Sequence, residues 1–532
     1  MGSVWFKKIL PILIGLFGSS CALVFNHQGA LSSPNLFFQT FVYEFKVGLG
    51  TIADNSGQDL LMAVTTDSDG NTYTCGTTSS DMFSTRIGGD VIIIKFDVQG
   101  NFVWGVQWNS TSQGLFSNGV NYDVCNSITM GPSNTLYVAG YTRSQLFGAA
   151  TFSGGSLRDA WVARINASDG SIVWGNQLTA AAGLGGCNTF GTVDGDTSEE
   201  LGGFVTTDSS GNLFLYGTTQ NAGANNSLIT GSAANTYLWV AHFQASGTCD
   251  WIKQLIPATG NGHVIGNATE NAGRIQADSS GNAYFVGATT GAFAAANAGS
   301  NDVFLGKINS AGTVQYIKQF TPAVFPGVIN AADRSETLSG VALDSSGNVY
   351  VQGHTGSQFS GPSDNTGAVG TRDLFLARLT SSGSMTWVKQ ISTVTFPAFI
   401  NDSTLADRTD DAGGGSPMGA IGIDGNDQIY IGGTTQSSLV STNTNVGLTF
   451  DAVIFKFNSS GSMIWAKQAS TANPTFASRL MASASDEYVA DLSVRSDGNL
   501  AIVGCTTGNF IGTYGGGAYD TWMIHLDKNG NL

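Results

Sequence analysis

The sequence predicts an all-β protein made of seven similar four-stranded units, and three observations lead to this prediction. A pattern of strand, tight turn, strand and Gly-x-Thr occurs seven times between residues 63 and 506. An apolar third strand follows each copy, and in six units a fourth strand with an aromatic residue comes next. The composition agrees, because 71 glycines and only 11% charged residues are typical of a turn-rich β protein.

The first two strands of each unit are joined by a short turn, clearest in VALDSSGNVYVQGHT at residues 341–355. The seven copies begin at Ala63, Ser127, Phe204, Arg274, Val341, Ala420 and Asp491. Asp-Gly and Asn-Gly chemistry is typical of tight hairpin turns. A Ca²⁺ loop is longer and ends in a bidentate glutamate, so this turn predicts a β-hairpin.

The third strand is an almost continuous apolar run, such as DVIIIKF from Asp90, which is typical of a strand covered on both faces. A basic residue follows its opening aspartate at a spacing of five, as in Asp90 and Lys95. This spacing places the two side chains on opposite faces, so we expect each to bond a neighbouring strand or blade. The aromatic residues of the fourth strands are Trp104, Trp174, Trp251, Tyr316, Trp387 and Trp465. A four-stranded unit of this length cannot bury both of its faces alone, so the units have to pack side by side. This pattern predicts a β-propeller.

The two ends of the chain predict how the ring closes. The seventh unit stops after its third strand and a turn, at residues 527–532. Residues 41–48 read as the missing fourth strand, with Tyr43 in the aromatic position. An open array would leave a long unpaired edge. We therefore expect a seven-bladed β-propeller of antiparallel four-stranded blades, closed by an N-terminal strand that completes the last blade.

The N-terminus reads as a targeting segment. Lys7 and Lys8 precede an apolar run at residues 9–17, which is shorter than the roughly 20 residues of a spanning helix. Small residues then end at Cys21, which resembles a bacterial lipoprotein lipobox with Gly18 in place of the usual leucine. We expect a lipoprotein-type signal peptide over residues 1–21 with lipidation of Cys21, a tether over 22–40 and the propeller over 41–532. Ordinary secretion is the alternative.

The repeat, written D-x-x-G-N-x-Y-V-x-G-x-T, resembles the bacterial seven-bladed β-propeller repeat (SBBP-type) family over nearly all of residues 41–532. The resemblance implies an exported, often lipid-anchored protein of the outer membrane or cell surface, without an established common activity. The net charge of −16 disfavours nucleic acid as a partner.

In six of the seven units, the position eight residues before the first residue of the tight turn is an aspartate or a glutamate. These acids are Asp59, Asp123, Glu200, Glu270, Glu336 and Glu487. They would ring the mouth of the central channel, where oxygen ligands would suit Ca²⁺. Acids a blade apart are too distant for one ion to collect, and a motif used once per blade is typical of scaffold. We therefore expect the ring to be structural and predict no catalytic or metal-binding residue.

The cysteines suggest one disulfide, because export permits disulfide formation. Cys125 begins a first strand, and Cys187 lies in the next blade-to-blade loop on the same face. We expect these two residues to be bonded.

The loops between blades are long on one face, for example residues 179–201 and 392–417, whereas the opposite face has short turns. Long loops on a rigid scaffold usually carry binding residues. The aromatic residues that would face a partner there are Phe325, Phe396, Phe399 and Phe476. We expect a monomeric, non-enzymatic binding or scaffold protein that takes a protein or glycan ligand on this face and meets the membrane only through its lipid anchor. The alternatives are an envelope-assembly scaffold similar to the barrel-assembly propeller lipoprotein, and a glycan-processing enzyme using carboxylates at the channel mouth.

Overall fold

The structure, a computed structural model, describes most strands and turns of the repeats. The described residues are 42–44, 59–85, 88–108, 121–143, 146–147, 158–178, 200–219, 237–255, 274–299, 301–329, 336–357, 359, 373–400, 420–435, 439–440, 450–469, 486–507 and 520–532. The chain divides into two compact units, Met1–Gln39 and Thr40–Leu532, and all described residues belong to the second. No helix within these ranges is long and apolar enough to cross a membrane.

The strands of the described residues form seven sheets, which we number as blades 1 to 7. Strand β1 (Val42–Glu44) belongs to blade 7. Blade 1 contains β2 (Asp59–Thr66), β3 (Thr72–Thr78), β4 (Gly88–Phe96) and β5 (Phe102–Trp108), and β6 (Asn121–Tyr122) pairs with β4. Blade 2 contains β7 (Val124–Gly131), β8 (Thr135–Thr142), β9 (Asp159–Asn166) and β10 (Ile172–Leu178), with a 3₁₀ turn at Pro132–Asn134. Blade 3 contains β11 (Glu200–Thr207), β12 (Leu213–Thr219), β13 (Tyr237–Phe243) and β14 (Cys249–Leu255).

The remaining blades repeat this order. Blade 4 contains β15 (Ile275–Ala277), β16 (Asn282–Thr289), β17 (Asp302–Asn309) and β18 (Val314–Gln319). Blade 5 contains β19 (Glu336–Leu343), β20 (Val349–Thr355), β21 (Asp373–Leu379) and β22 (Met385–Gln390). Blade 6 contains β23 (Ala420–Ile423), β24 (Ile429–Thr435), β25 (Asp451–Phe457) and β26 (Met463–Gln468). Blade 7 contains β27 (Glu487–Val494), β28 (Leu500–Thr506), β29 (Asp520–Leu526) and β1. The predicted seven-bladed propeller is confirmed.

The N-terminal strand closes blade 7, as predicted, by antiparallel pairing with β29. The predicted position of Tyr43 is wrong by two residues. Tyr43 pairs with Met523, whereas the aromatic residue of blade 6, Trp465, pairs with the basic residue Lys456. The blade 7 equivalent of that basic position is His525. Aromatic identity alone does not set the register, because register depends on which backbone groups of two strands meet.

The core lies between blades rather than within them. One apolar cluster joins blades 4 and 5, with Val303 and Phe320 on one side and Val349 and Phe375 on the other. All four side chains are fully buried. Neighbouring blades therefore bury each other's faces.

The charged residues of the third strands bond their neighbours, as the spacing predicted. Gln107 of the fourth strand donates to Asp90 through Nε2 at 2.7 Å. Lys95 Nζ and Trp104 Nε1 both donate to the carbonyl of Ala167 in blade 2, at 3.0 and 3.2 Å. The motif that recurs in the sequence therefore holds one blade to the next.

The disulfide differs from the prediction. Cys125 is bonded to Cys75, with 5.7 Å between the Cα atoms, and not to Cys187. The reason is that β3 of blade 1 packs beside β7 of blade 2, which brings two residues from the middle of the blades together. Cys187 and Cys21 lie outside the described residues. Cys249 is also disulfide-bonded.

The aromatic residues of the long loops do not face outward as expected. Phe325 and Phe396 are only 7% and 8% exposed and pack into apolar clusters. Phe399 is partly buried against the same cluster as Phe396, and Phe476 lies outside the described residues. In residues 321–329 the chain folds back in consecutive turns, because the amide of Phe325 donates to the carbonyl of Thr321 at 2.9 Å. Each Phe therefore caps the end of a blade.

Candidate functional site at the channel axis

The acids predicted to ring the channel mouth are bonded to threonines within their own blades. Four of these acids begin or directly precede a first strand, and each accepts a hydrogen bond from the threonine that ends the second strand. The pairs are Asp59 with Thr78, Asp123 with Thr142, Glu336 with Thr355 and Glu487 with Thr506. Glu200 lies opposite Thr219 in the strand pairing, and Glu270 lies outside the described residues.

This bonding limits what the acid ring can do chemically. Glu336 is fully buried, and its Oε1 accepts from Thr355 at 3.2 Å and from Ser357 at 2.6 Å. None of the four described acids is among the residues that line the axial cavity. Within the part of the chain that the structure describes, no three His, Cys, Asp or Glu side chains lie close enough together to hold a metal ion.

A polar cavity of about 210 Å³ lies where the innermost strands of all seven blades meet. No further strand pairs with the inner edge of the first strands, and amides on this edge donate to side chains instead, as Val205 does to the hydroxyl of Ser127 at 3.2 Å. The polar side chains that line it include Thr65, Thr206, Arg274, Gln276, Asp491 and Ser493. The cavity therefore offers many hydrogen-bonding groups and only one described carboxylate.

One ion pair spans this cavity. Arg274 of blade 4 places Nη2 3.6 Å from Oδ1 of Asp491 in blade 7 and donates to the carbonyl of Ala490 at 3.3 Å. Its guanidinium also lies 4.9 Å from the ring centroid of Phe204 in blade 3. Blades 4 and 7 are not neighbours in a ring of seven, so the pair links opposite sides of the channel. The two side chains are 15% and 16% exposed.

Burial raises the pKa of the Asp491 carboxyl, although the charge of Arg274 and the backbone N–H groups of Val64 and Leu492 oppose this. The amide of Val64 donates to Oδ2 at 3.0 Å and fixes the carboxylate's orientation. A carboxyl whose pKa is raised in a polar cavity is the type of group that serves as a general acid.

Arg274 and Asp491 are not among the residues predicted from the sequence, because they do not repeat. Both stand four residues before the first residue of their turn, at the position of Ala63 and Phe204 in blades 1 and 3. A charge at a position that is uncharged in the other five blades is the signal that would have identified them.

No family model matches the chain, and no curated protein matches it. Solved structures do match. An α-L-arabinofuranosidase from Fusarium graminearum, in complex with an iminosugar inhibitor, is 10% identical with a TM-score of 0.36, over 75% of this chain and 91% of its own. NanB sialidase from Streptococcus pneumoniae is 12% identical with a TM-score of 0.39, over 92% and 71%. A protein of unknown function from Dyadobacter fermentans is 9% identical with a TM-score of 0.38, over 89% and 96%.

These comparisons correct one expectation. The prediction of a non-enzymatic binding or scaffold protein is wrong on this finding, because the similar solved structures include arabinofuranosidases, an arabinanase and sialidases. At 10–13% identity the comparison assigns no particular reaction or substrate to this chain. The propeller fold is established by its own strand pairing.

Proposed function

We propose that the protein is a glycan-processing enzyme that acts at the axial cavity, with Asp491 as its general acid. The observation that carries the proposal is the Arg274–Asp491 pair, in which a carboxyl of raised pKa meets a guanidinium 3.6 Å away inside a polar cavity. No other described carboxylate lines that cavity. The glycan-processing enzyme considered from the sequence would use carboxylates at the channel mouth. Here the general acid is Asp491, which lines the axial cavity.

The chemistry assigned to Asp491 is protonation of the oxygen that leaves when a glycosidic bond is cleaved. The bond's electron pair goes to that oxygen, Asp491 supplies the proton, and water adds to the anomeric carbon and gives up a proton that restores the Asp491 carboxyl. Glycosidases usually employ a second carboxylate, and the proposal assigns none. Gln276, Thr65 and Ser493 line the same cavity and match the hydroxyl groups of a sugar. The volume of about 210 Å³ favours a single terminal sugar unit over a long chain segment.

The test is hydrolysis of chromogenic glycosides, including arabinofuranosides, hexopyranosides and sialosides, by residues 41–532. We expect turnover of at least one substrate, and a loss of about 10²-fold or more in kcat for Asp491→Asn. The matched control is Asp497→Asn in the same blade, whose side chain is 42% exposed and lies outside the cavity lining. Absence of turnover by the unaltered protein, or full activity of a folded Asp491→Asn variant, would refute the proposal.

We further propose that the chain is exported and anchored in the outer membrane or at the cell surface by a lipid on Cys21. The targeting-type residues 1–21 support this, and so does the Cys75–Cys125 bond, because structural disulfides persist in oxidising compartments. Metabolic labelling with a radioactive fatty acid tests it. We expect label in the full chain and none in Cys21→Ser. Label retained by that variant would contradict the proposal.

A further inference from the structure

The turns between first and second strands contact one another around the short-turn face. Between blades 3 and 4, Ser209 donates to the carbonyl of Ser279 at 3.1 Å. Between blades 5 and 6, the amide and hydroxyl of Ser345 donate to the carboxylate of Asp427 at 2.9 and 2.8 Å. Between blades 1 and 2 a cleft of about 410 Å³ lies in this place.

The turn of blade 2 that lines this cleft departs from the repeat. Its sequence is G-P-S-N-T, from Gly131, instead of D-S-S-G-N. Ser133 and Asn134 both adopt left-handed conformations, with φ of 58° and 55°, whereas the blade 3 turn uses Gly211 at φ 82°. Two consecutive non-glycine residues in this region cost conformational energy. The turn of blade 2 beside the cleft is therefore strained, whereas the turn of blade 3 avoids this strain by placing a glycine at the left-handed position.

The same change alters the charge at the cleft. In blade 5 the turn aspartate Asp344 lies 3.8 Å from Arg378. Arg164 is the equivalent arginine of blade 2, and its own turn has Gly131 in place of the aspartate. Arg164 lines the cleft. The turn between the first and second strands of its own blade supplies no carboxylate to it, in contrast to the turn of blade 5.

The lining is electrically balanced and pre-organised. Asp67 and Asp69 offset Lys95 and Arg164, so the lining has no net charge to select an ion. Asp67 is held by hydrogen bonds from the amides of Asp69 and Asn71, and Lys95 is held by the carbonyl of Ala167. The rest of the lining is mainly hydroxyl and amide side chains. Interspersed donors and acceptors with zero net charge fit an uncharged ligand with many hydroxyl groups, and a cleft of this size fits a small ligand.

We propose that the cleft between blades 1 and 2 binds a neutral oligosaccharide. The ligand class follows from the lining, whereas a role in holding substrate for the axial site rests on the proposed function. The cleft and the axial cavity share no lining residue, so the cleft is a second, separate site.

The test is titration calorimetry of residues 41–532 with neutral malto-, xylo-, cello- and arabino-oligosaccharides, with sialyllactose as the charged comparison. Ser168 lines the cleft and is exposed, so Ser168→Tyr fills the space without removing a buried group. We expect it to weaken binding by about tenfold or more. Ala311→Tyr is the matched control, because Ala311 is exposed in the equivalent turn of blade 4, and it should leave the affinity unchanged. Asp69→Ala, which removes a polar group while keeping the backbone, should also weaken binding.

Three results would overturn the inference: no neutral oligosaccharide binds, sialyllactose binds in preference, or Ser168→Tyr and Ala311→Tyr bind equally well. The two proposals fail separately. If the Asp491→Asn variant no longer hydrolyses the glycosides but still binds the neutral oligosaccharide, both the axial site and the cleft are supported. Binding that depends on Ser168, in a protein that hydrolyses nothing, leaves the cleft standing and removes the proposed enzyme function.

Discussion

Thr355 donates from Oγ1 to Oε1 of Glu336 at 3.2 Å, and both side chains are completely buried. Two motifs that are separate in the sequence, the acid before the turn and the Thr of Gly-x-Thr, therefore meet in space. Strand pairing places residue 336 opposite residue 355. The glycine of the same Gly-x-Thr motif, Gly353, cannot be replaced by a larger residue without a clash, because a Cβ there would lie 2.2 Å from the carbonyl oxygen of Thr337. The repeated acid and threonine therefore form a side-chain hydrogen bond that links the first strand of a blade to the second.

Glu336→Ala should destabilise the protein, because the hydroxyls of Thr355 and Ser357 would lose their buried acceptor. We expect a loss of about 2–4 kcal/mol in the free energy of unfolding, measured by urea denaturation. Glu336→Gln is the control, since it keeps a carbonyl acceptor and should lose less. An alanine variant as stable as the unaltered protein would contradict this account of the acid.

Replacing both Cys75 and Cys125 with serine should lower stability through the unfolded state. The bond closes a sequence separation of 50 residues, for which loop-closure entropy predicts about 4 kcal/mol. Thermal unfolding of the double variant measures the loss. Non-reducing peptide mapping checks the connectivity independently, and recovery of a Cys125–Cys187 peptide would show that the bond differs from the one described.

Stability should depend on pH through Asp451, because burial raises its pKa to about 6. The folded chain holds this proton more tightly than the unfolded chain, whose value is 3.8. The stabilisation is therefore complete below about pH 4 and is lost as pH rises through 6. Asp451→Asn should remove this dependence, gaining about 3 kcal/mol relative to the unaltered protein between pH 4 and 7. Chemical denaturation across this range provides the measurement, and parallel curves would disprove the assignment.

His525 should give a slope of the opposite sign. Burial, aided by the charge of Arg495, lowers its pKa from 6.5 to about 4. The unfolded chain takes up the proton first as pH falls, so stability is lost from about pH 6.5 down to 4. His525→Gln keeps a polar group for Thr72, which lies 3.2 Å away, and removes the proton uptake. The melting temperature of this variant should fall less on acidification, and an equal fall in both proteins would exclude His525 as the cause.

The successful predictions depend on features that recur along the chain. Seven turns, seven apolar third strands and the incomplete last unit predicted the blades and the closure by β1. The bonding of Asp90 and Lys95 to neighbours followed from a spacing of five on a strand. The errors involve single contacts. Tyr43 lies out of register, Phe325 is buried, and Cys125 meets Cys75, because each depends on how two segments distant in sequence pack.

The amino-acid sequence by itself determined the propeller, because turn chemistry and strand alternation act locally and are repeated until the chain has to form a ring. Only the tertiary structure decided which residues share the axis and the cleft. Arg274 and Asp491 are separated by three blades in sequence, and the cleft is lined by turns of two different blades. Such contacts have no periodic signal, since packing of the blades in the closed ring brings these residues together.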